Sequence, residues 1–165
     1  MNRKSKVALV LGTFFVFAMC GSRAAYAAPP NACSLLTAAQ VSAVLSVPVR
    51  PPAGPTRLDC IWAELGALPR GKGKGVMLTI LGTLGPKLTP MDRFNNAKKG
   101  GPFKGTPTTT SGLGDDAVYL TDSTGNIELY VKKGSLFFKV SVHGFPPEQI
   151  KAKEKTLAHD VLAKL

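Results

Sequence analysis

From Ile127 to His143 apolar and polar residues alternate. Glu128, Tyr130 and Lys132 interleave Ile127, Leu129 and Val131, and Phe137, Lys139 and Ser141 interleave Leu136, Phe138, Val140 and Val142. A period of two sends successive side chains to opposite faces of a sheet, so both runs read as strands. With Lys133-Gly134 as a two-residue hairpin loop, the register sets Ile127 against Val140, Leu129 against Phe138 and Val131 against Leu136. The other face then has Glu128 opposite Lys139 and Tyr130 opposite Phe137, both favourable cross-strand pairs.

Elsewhere the period is helical. Thr37 followed three residues later by Gln40 has the form of a capping box, and Val41, Val44 and Leu45 follow at helical spacing, which predicts a helix over 38–45. Pro48, Pro51, Pro52 and Pro55 forbid its continuation. Asp59 to Leu65 and Val76 to Leu81 read as strands, with a glycine- and lysine-rich loop from Arg70 to Gly75 between them. Thr89-Pro90-Met91-Asp92 starts a second helix, with a hydroxyl cap and proline at the first helical position. Gly100-Gly101-Pro102 stops it near Lys99. Gly105 to Gly112 is small and polar and reads as a loop. Ala117 to Thr121 is a further strand, with turn chemistry in Asp122-Ser123-Thr124-Gly125.

A last helix begins at Pro146-Pro147. Its apolar stripe is Ile150, Leu157, Ala158, Val161, Leu162 and Leu165, with the lysines mostly off it. The order α-β-β-α-β-β-β-α argues for an α+β fold, with an antiparallel sheet of about five strands and the helices packed on one face.

The first residues read as an address. Asn2 to Lys6 is basic, Val7 to Met19 is an uncharged apolar run, and Ala25-Tyr26-Ala27 is a small-residue cleavage site. These are the three parts of a secretory signal peptide over 1–27. The apolar run is too short to span ~30 Å of hydrocarbon, which takes ~20 residues. A short disordered lead-in over 28–32 and a single disulfide-stapled domain over 33–165 would then make up the mature chain. Cys20 offers an alternative, lipid attachment at the cell envelope. However, Phe17 and Met19 stand where lipoprotein processing usually wants leucine and a small residue.

Export changes both the charge and the cysteine arithmetic. The chain has 21 basic and 10 acidic side chains; without Arg3, Lys4, Lys6 and Arg23 the net charge falls from +11 to +7. Only Cys33 and Cys60 remain, and an even count in an oxidising compartment reads as a disulfide. A metal site is disfavoured, because two cysteines with distant His143 and His159 lack zinc-ligand spacing.

Candidate chemistry is sparse. Neither a phosphate loop nor a dinucleotide fingerprint is completed around Gly71-Lys72-Gly73, since Val76 holds the last glycine position. Asp115 and Asp116 are neighbours before a strand and point apart, so they make a poor acid pair. They also lack the ligand ladder of a calcium loop. His143 has no nominated partner, and Asp160 beside His159 does not face it on a helix. No catalytic residue, metal or cofactor is expected. Arg70, Lys72, Lys74, Lys98, Lys99, Lys104, Lys132 and Lys133 would form an anion-binding rim if their loops shared one end of the sheet. The alternative for them is ordinary solubilising charge. Tyr130 and Phe137 could line a ligand groove or form a covered cross-strand pair.

Cys33-Ser34-Leu35-Leu36-Thr37, Gln40-Val41, Leu45 and Cys60-Ile61-Trp62 together resemble the opening of exported bacterial domains of unknown function. These are small secreted proteins and lipoproteins, mostly of actinobacteria and related groups. Ser111-Gly112-Leu113-Gly114-Asp115 and the hairpin through His143 are similar to later parts of that pattern. The chain departs from it at Ser46, where glycine often follows the helix, and in lacking a good lipobox. The resemblance implies an α+β domain with Cys33 bonded to Cys60, and no catalytic residues. The expected role is an exported, secreted or periplasmic, non-enzymatic domain that binds an envelope protein, a glycan or an anionic ligand. Alternatives are a membrane-tethered lipoprotein accessory factor, if Cys20 is lipidated, and a hydrolase-like enzyme with a site not readable from sequence. Nucleic acid is disfavoured by export and by the lack of a base-stacking motif.

Overall fold

The computed structural model describes residues 28–67, 73–82, 88–102 and 104–165. The expected signal peptide over 1–27, with Cys20, lies outside the described residues, as do Arg70 and Lys72. The elements run α1 (Ala32–Leu35), α2 (Ala38–Leu45), β1 (Asp59–Ala63), β2 (Gly75–Ile80), α3 (Pro90–Lys98), β3 (Thr106–Thr110), β4 (Asp116–Thr121), β5 (Ile127–Lys133), β6 (Leu136–His143) and α4 (Pro147–Leu162). The fold is α+β, and the six strands form one antiparallel sheet in the order β1-β2-β6-β5-β4-β3.

Local chemistry sets the helix starts. The Thr37 hydroxyl accepts the Gln40 N–H at 3.2 Å while Gln40 accepts the Thr37 N–H at 3.0 Å, which closes the expected capping box. Thr89 and Asp92 repeat the arrangement at α3, with Pro90 in the first turn. Two elements went unread in the sequence. Ala32, expected in a disordered lead-in, is fully buried and begins α1, whose N-cap is Asn31. Thr106 to Thr110, expected as loop, is strand β3, paired with β4 from Thr106↔Thr121 to Thr110↔Ala117. Its threonines suit extended backbone, and because it buries neither face the apolar period that marks a strand is missing.

The hairpin register differs from expectation by two residues. Leu129 pairs with Val140, Val131 with Phe138 and Lys133 with Leu136, so the loop is Gly134-Ser135 rather than Lys133-Gly134. Gly134, at φ +57°, supplies the positive dihedral at the first loop position. A two-residue shift keeps each side chain on its expected face. It does place Tyr130 opposite Lys139 and Lys132 opposite Phe137, so the expected Tyr130–Phe137 pair does not form.

Helices cover both faces of the sheet, not one. Leu78, Leu129, Val131, Phe138 and Val140 belong to the main core with α1, α2 and α4, where Leu157, Ala158 and Val161 are fully buried. On the opposite face Val118, Leu120 and Phe137 pack with Phe94 and Ala97 of α3. The Phe94 and Phe137 rings lie 5.6 Å apart. Apolar residues on both sides of β4 (Ala117, Val118, Tyr119 and Leu120, all buried) require two covered faces.

The first sheet edge is protected. Arg50 and Ala53 of the proline-rich stretch donate to Ala63 and Ile61 of β1, and Ala53 accepts from Ile61 in return. Cys33 of α1 is disulfide-bonded to Cys60 of β1 across a Cα–Cα distance of 5.0 Å. Among the described residues no helix is long and apolar enough to cross a membrane.

Candidate functional site

The α3-side face of the sheet is only partly roofed. On β5 and β6 it presents Glu128, Tyr130, Lys139 and Ser141, beyond the patch that Phe94 covers. The Tyr130 hydroxyl donates to Glu128 Oε2 at 2.8 Å. Lys139 Nζ donates to Glu128 Oε1 at 2.6 Å, and the Ser141 hydroxyl donates to the same oxygen at 3.3 Å. Lys139 also stands 5.9 Å from the centre of the Tyr130 ring. The expected Glu128–Lys139 pairing therefore forms, diagonally across the hairpin rather than directly across it. Burial, then the Glu128 charge and hydrogen bond, push the Tyr130 hydroxyl far above the usual phenol range, with the Arg93 charge acting in the opposite direction.

Two cavities meet at Tyr130. One, of about 540 Å³, lies between α3 and the sheet and is lined by Leu88, Arg93, Asn96, Ala97, Lys99 and Pro102 as well as Tyr130. The other, of about 200 Å³, is lined by Asp122, Asn126, Glu128, Pro102, Lys139 and Tyr130. Tyr130 and Pro102 border both, so they form one cleft with a waist. A third cavity, of about 860 Å³, lies by the β5–β6 loop and holds Phe137, Leu136, Ile80, Met91, Ala28 and Pro29 on its walls. Tyr130 and Phe137 thus line separate cavities, and Phe137 is itself 3% exposed beneath α3.

The cations expected at a common rim divide between the two ends of the sheet. Lys74 precedes β2 at the end where Gly75 pairs with His143, and Lys104 precedes β3 on the same side. Lys132 and Lys133 close β5 at the opposite end, where Lys133 pairs with Leu136. Lys98 is bound to Asp116 at 2.6 Å and Lys133 stands 3.9 Å from Asp115. Lys74 lies over the Phe145 ring. Of the expected set, Lys99 reaches the cleft. Arg93, not expected, lines it too; a lone arginine on a nine-residue helix carries no signal in sequence beyond a solvated charge.

The expected acid and base candidates are tied into the frame. Asp115 accepts the Gly134 N–H at 2.6 Å, bracing the hairpin turn. His143 is exposed with its ring against Gly75, and burial of part of that ring lowers its pKa. His159 is exposed on α4. Glu128 borders the smaller cavity of the cleft, with both oxygens engaged. Among the described residues no three His, Cys, Asp or Glu side chains are grouped to hold a metal ion.

One buried acid escaped the sequence reading. Glu154 sits in the middle of the α4 stripe, fully buried among Ile150, Leu157 and Ala158. Its place four residues after Ile150 and three before Leu157 was the available signal.

Comparison of the chain with protein-family models, with curated proteins and with solved structures found no match.

Proposed function

We propose that this chain is an exported, non-enzymatic binding domain of the bacterial envelope, of the kind its Cys33-to-Trp62 pattern resembles, and that its ligand lies in the cleft between α3 and the sheet. The observation that carries the reading is the pair of cavities joined at Tyr130. Their volume suits a small molecule, and pockets of this size with an apolar floor and a few polar groups are the usual form of a ligand site. The joined Cys33 and Cys60 support export, since a disulfide persists in an oxidising compartment. Ser46 supports the resemblance: at φ +56° it holds the left-handed conformation that glycine adopts readily, which accounts for glycine at that position in such domains. A binding role fits Glu128 better than acid–base catalysis does, because Lys139, Ser141 and Tyr130 already occupy its oxygens.

Two measurements test the proposal. Mass spectrometry of the product exported by a bacterial host is expected to find a chain beginning at Ala28. A product retained with residues 1–27 intact overturns export, and a diacylated Cys20 establishes the tethered alternative. An amide NMR titration of the mature chain with the small-molecule fraction of the envelope is expected to shift the Glu128, Tyr130 and Lys139 signals. Shifts confined to other residues overturn the cleft as the site.

A further inference from the structure

The cleft has a chemical bias. In the 540 Å³ lobe of the cleft the charged side chains among the described residues are Arg93 and Lys99, both cationic, beside the amide of Asn96 and the apolar Leu88, Ala97 and Pro102. Among the described residues the ion pairs join Lys98 to Asp116, Lys133 to Asp115 and Lys139 to Glu128. Arg93 and Lys99 belong to none of them. Among the described residues Arg93 gives one side-chain bond, from Nη1 to the Gly82 carbonyl at 3.1 Å, which orients the guanidinium. The neighbouring cavity has two carboxylates on its walls: Glu128 is met by Lys139 at 2.6 Å, and Asp122 is held within its own turn by Thr124 and Asn126, and among the described residues neither pairs with Arg93 or Lys99. The Tyr130 ring adds a flat apolar wall between the two lobes.

Resting on the reading of this cleft as the binding site, we propose that its ligand is a small organic anion with a flat apolar body. Its carboxylate, sulfonate or phosphate group bonds to Arg93 and Lys99, and its body lies along Tyr130 and Pro102. Planar guanidinium donors match the oxygens of such groups in paired hydrogen bonds, and unpaired cations at an apolar cleft favour an anion over a neutral molecule of the same shape. Recognition of a neutral sugar would instead call for several uncommitted carboxylates and amides, and of these the cleft offers the Asn96 amide. Glu128 is engaged by Lys139 and Tyr130, and Asp122 is engaged within its own turn by Thr124 and Asn126.

Two dyes of similar shape test this on the mature chain. Anilinonaphthalene sulfonate carries the anion and phenylnaphthylamine does not. The sulfonate is expected to bind at least about tenfold more tightly, and Lys99→Ala or Arg93→Ala to remove most of that preference while leaving the neutral dye unchanged. Tyr130→Leu should weaken both dyes, and Lys133→Ala, at the far end of β5, neither. Lys99 is exposed, so its variant keeps the test valid even if Arg93→Ala disturbs α3; unchanged near-ultraviolet dichroism excludes dye uptake by loosened protein. Equal affinity for the two dyes, or a preference that survives both cation variants, overturns the anion assignment and leaves the cleft as the site. Binding of neither dye, or binding indifferent to Tyr130→Leu, overturns the cleft reading as well.

Discussion

Glu154 on α4 accepts the backbone N–H of Val142 on β6 at 3.0 Å. Val142 lies two residues past the last β5–β6 pair, Leu129↔Val140, so the carboxyl supplies an acceptor where that pairing has ended. Among the described residues the other oxygen, Oε2, has no partner. Burial pushes the Glu154 pKa up to about 9, against the pull of the Val142 N–H. The folded protein therefore holds this proton at neutral pH.

This arrangement makes stability pH-dependent. A carboxyl whose folded pKa lies above its ordinary 4.5 contributes its full share of stability below that value and loses it as pH rises towards about 9. The unfolding free energy should fall across this window. Glu154→Gln keeps an oxygen for Val142 but cannot ionise, so the slope should flatten and the variant should exceed the parent by about 2–4 kcal/mol at pH about 8. Urea titrations across the window measure both. His143, its pKa lowered by burial, acts in the opposite sense: its share is present above its ordinary 6.5 and lost as pH falls. An unchanged slope in Glu154→Gln would show that Glu154 is not the source.

The Cys33–Cys60 bond closes a separation of 27 residues. A loop of this length restricts the unfolded chain enough to stabilise the fold by about 3.5 kcal/mol. The double variant Cys33→Ser/Cys60→Ser should lose roughly that amount in urea unfolding. Reduction of the parent protein should reproduce most of the loss.

Ser46 ends α2 in the left-handed region at φ +56°, donating its N–H to Ala43 and Ser42. A side chain there meets the following carbonyl, and glycine does not. Ser46→Gly should raise the melting temperature, by the equivalent of about 0.5–1 kcal/mol, and Ser46→Val should lower it.

Gly112 and Gly114 separate two meanings of a turn glycine. Both have positive φ, at +79° and +56°. A Cβ on Gly112 meets nothing within 4 Å, whereas one on Gly114 collides with the Lys132 carbonyl. Gly112→Ala should cost about 1 kcal/mol, from backbone strain alone. Gly114→Ala should cost several times more, or abolish folding, because Lys132 would have to leave its pairing with Asp116.

Strand β3 leaves its outer edge unpaired by another strand of the sheet. Pro107 removes one donor from it, and exposed threonines make it a poor template for a second chain. Pro107→Val with Thr109→Val should therefore promote concentration-dependent association, visible by light scattering, without lowering the stability of the monomer. Monodisperse behaviour in this variant would show that the proline does not guard the edge.

The amino-acid sequence by itself determined the elements whose causes are local. Thr37 with Gln40 and Thr89 with Pro90 set helix starts, and the alternation from Ile127 to His143 assigned each side chain to its face. The tertiary structure decided what depends on partners distant in the chain. Strand β3 exists because β4 offers it backbone groups, which no period in Thr106–Thr110 could announce. The loop glycine moved the register by two residues, a shift to which a pattern of period two is blind. The adjacent apolar pairs Val118-Tyr119 and Phe137-Phe138 put apolar side chains on both faces, yet the expectation placed every helix on one, and only packing set α3 on the second. The cleft has the same origin: Arg93 of α3 and Lys99 at its C-cap face Tyr130 of β5 across a gap that no spacing along the chain encodes.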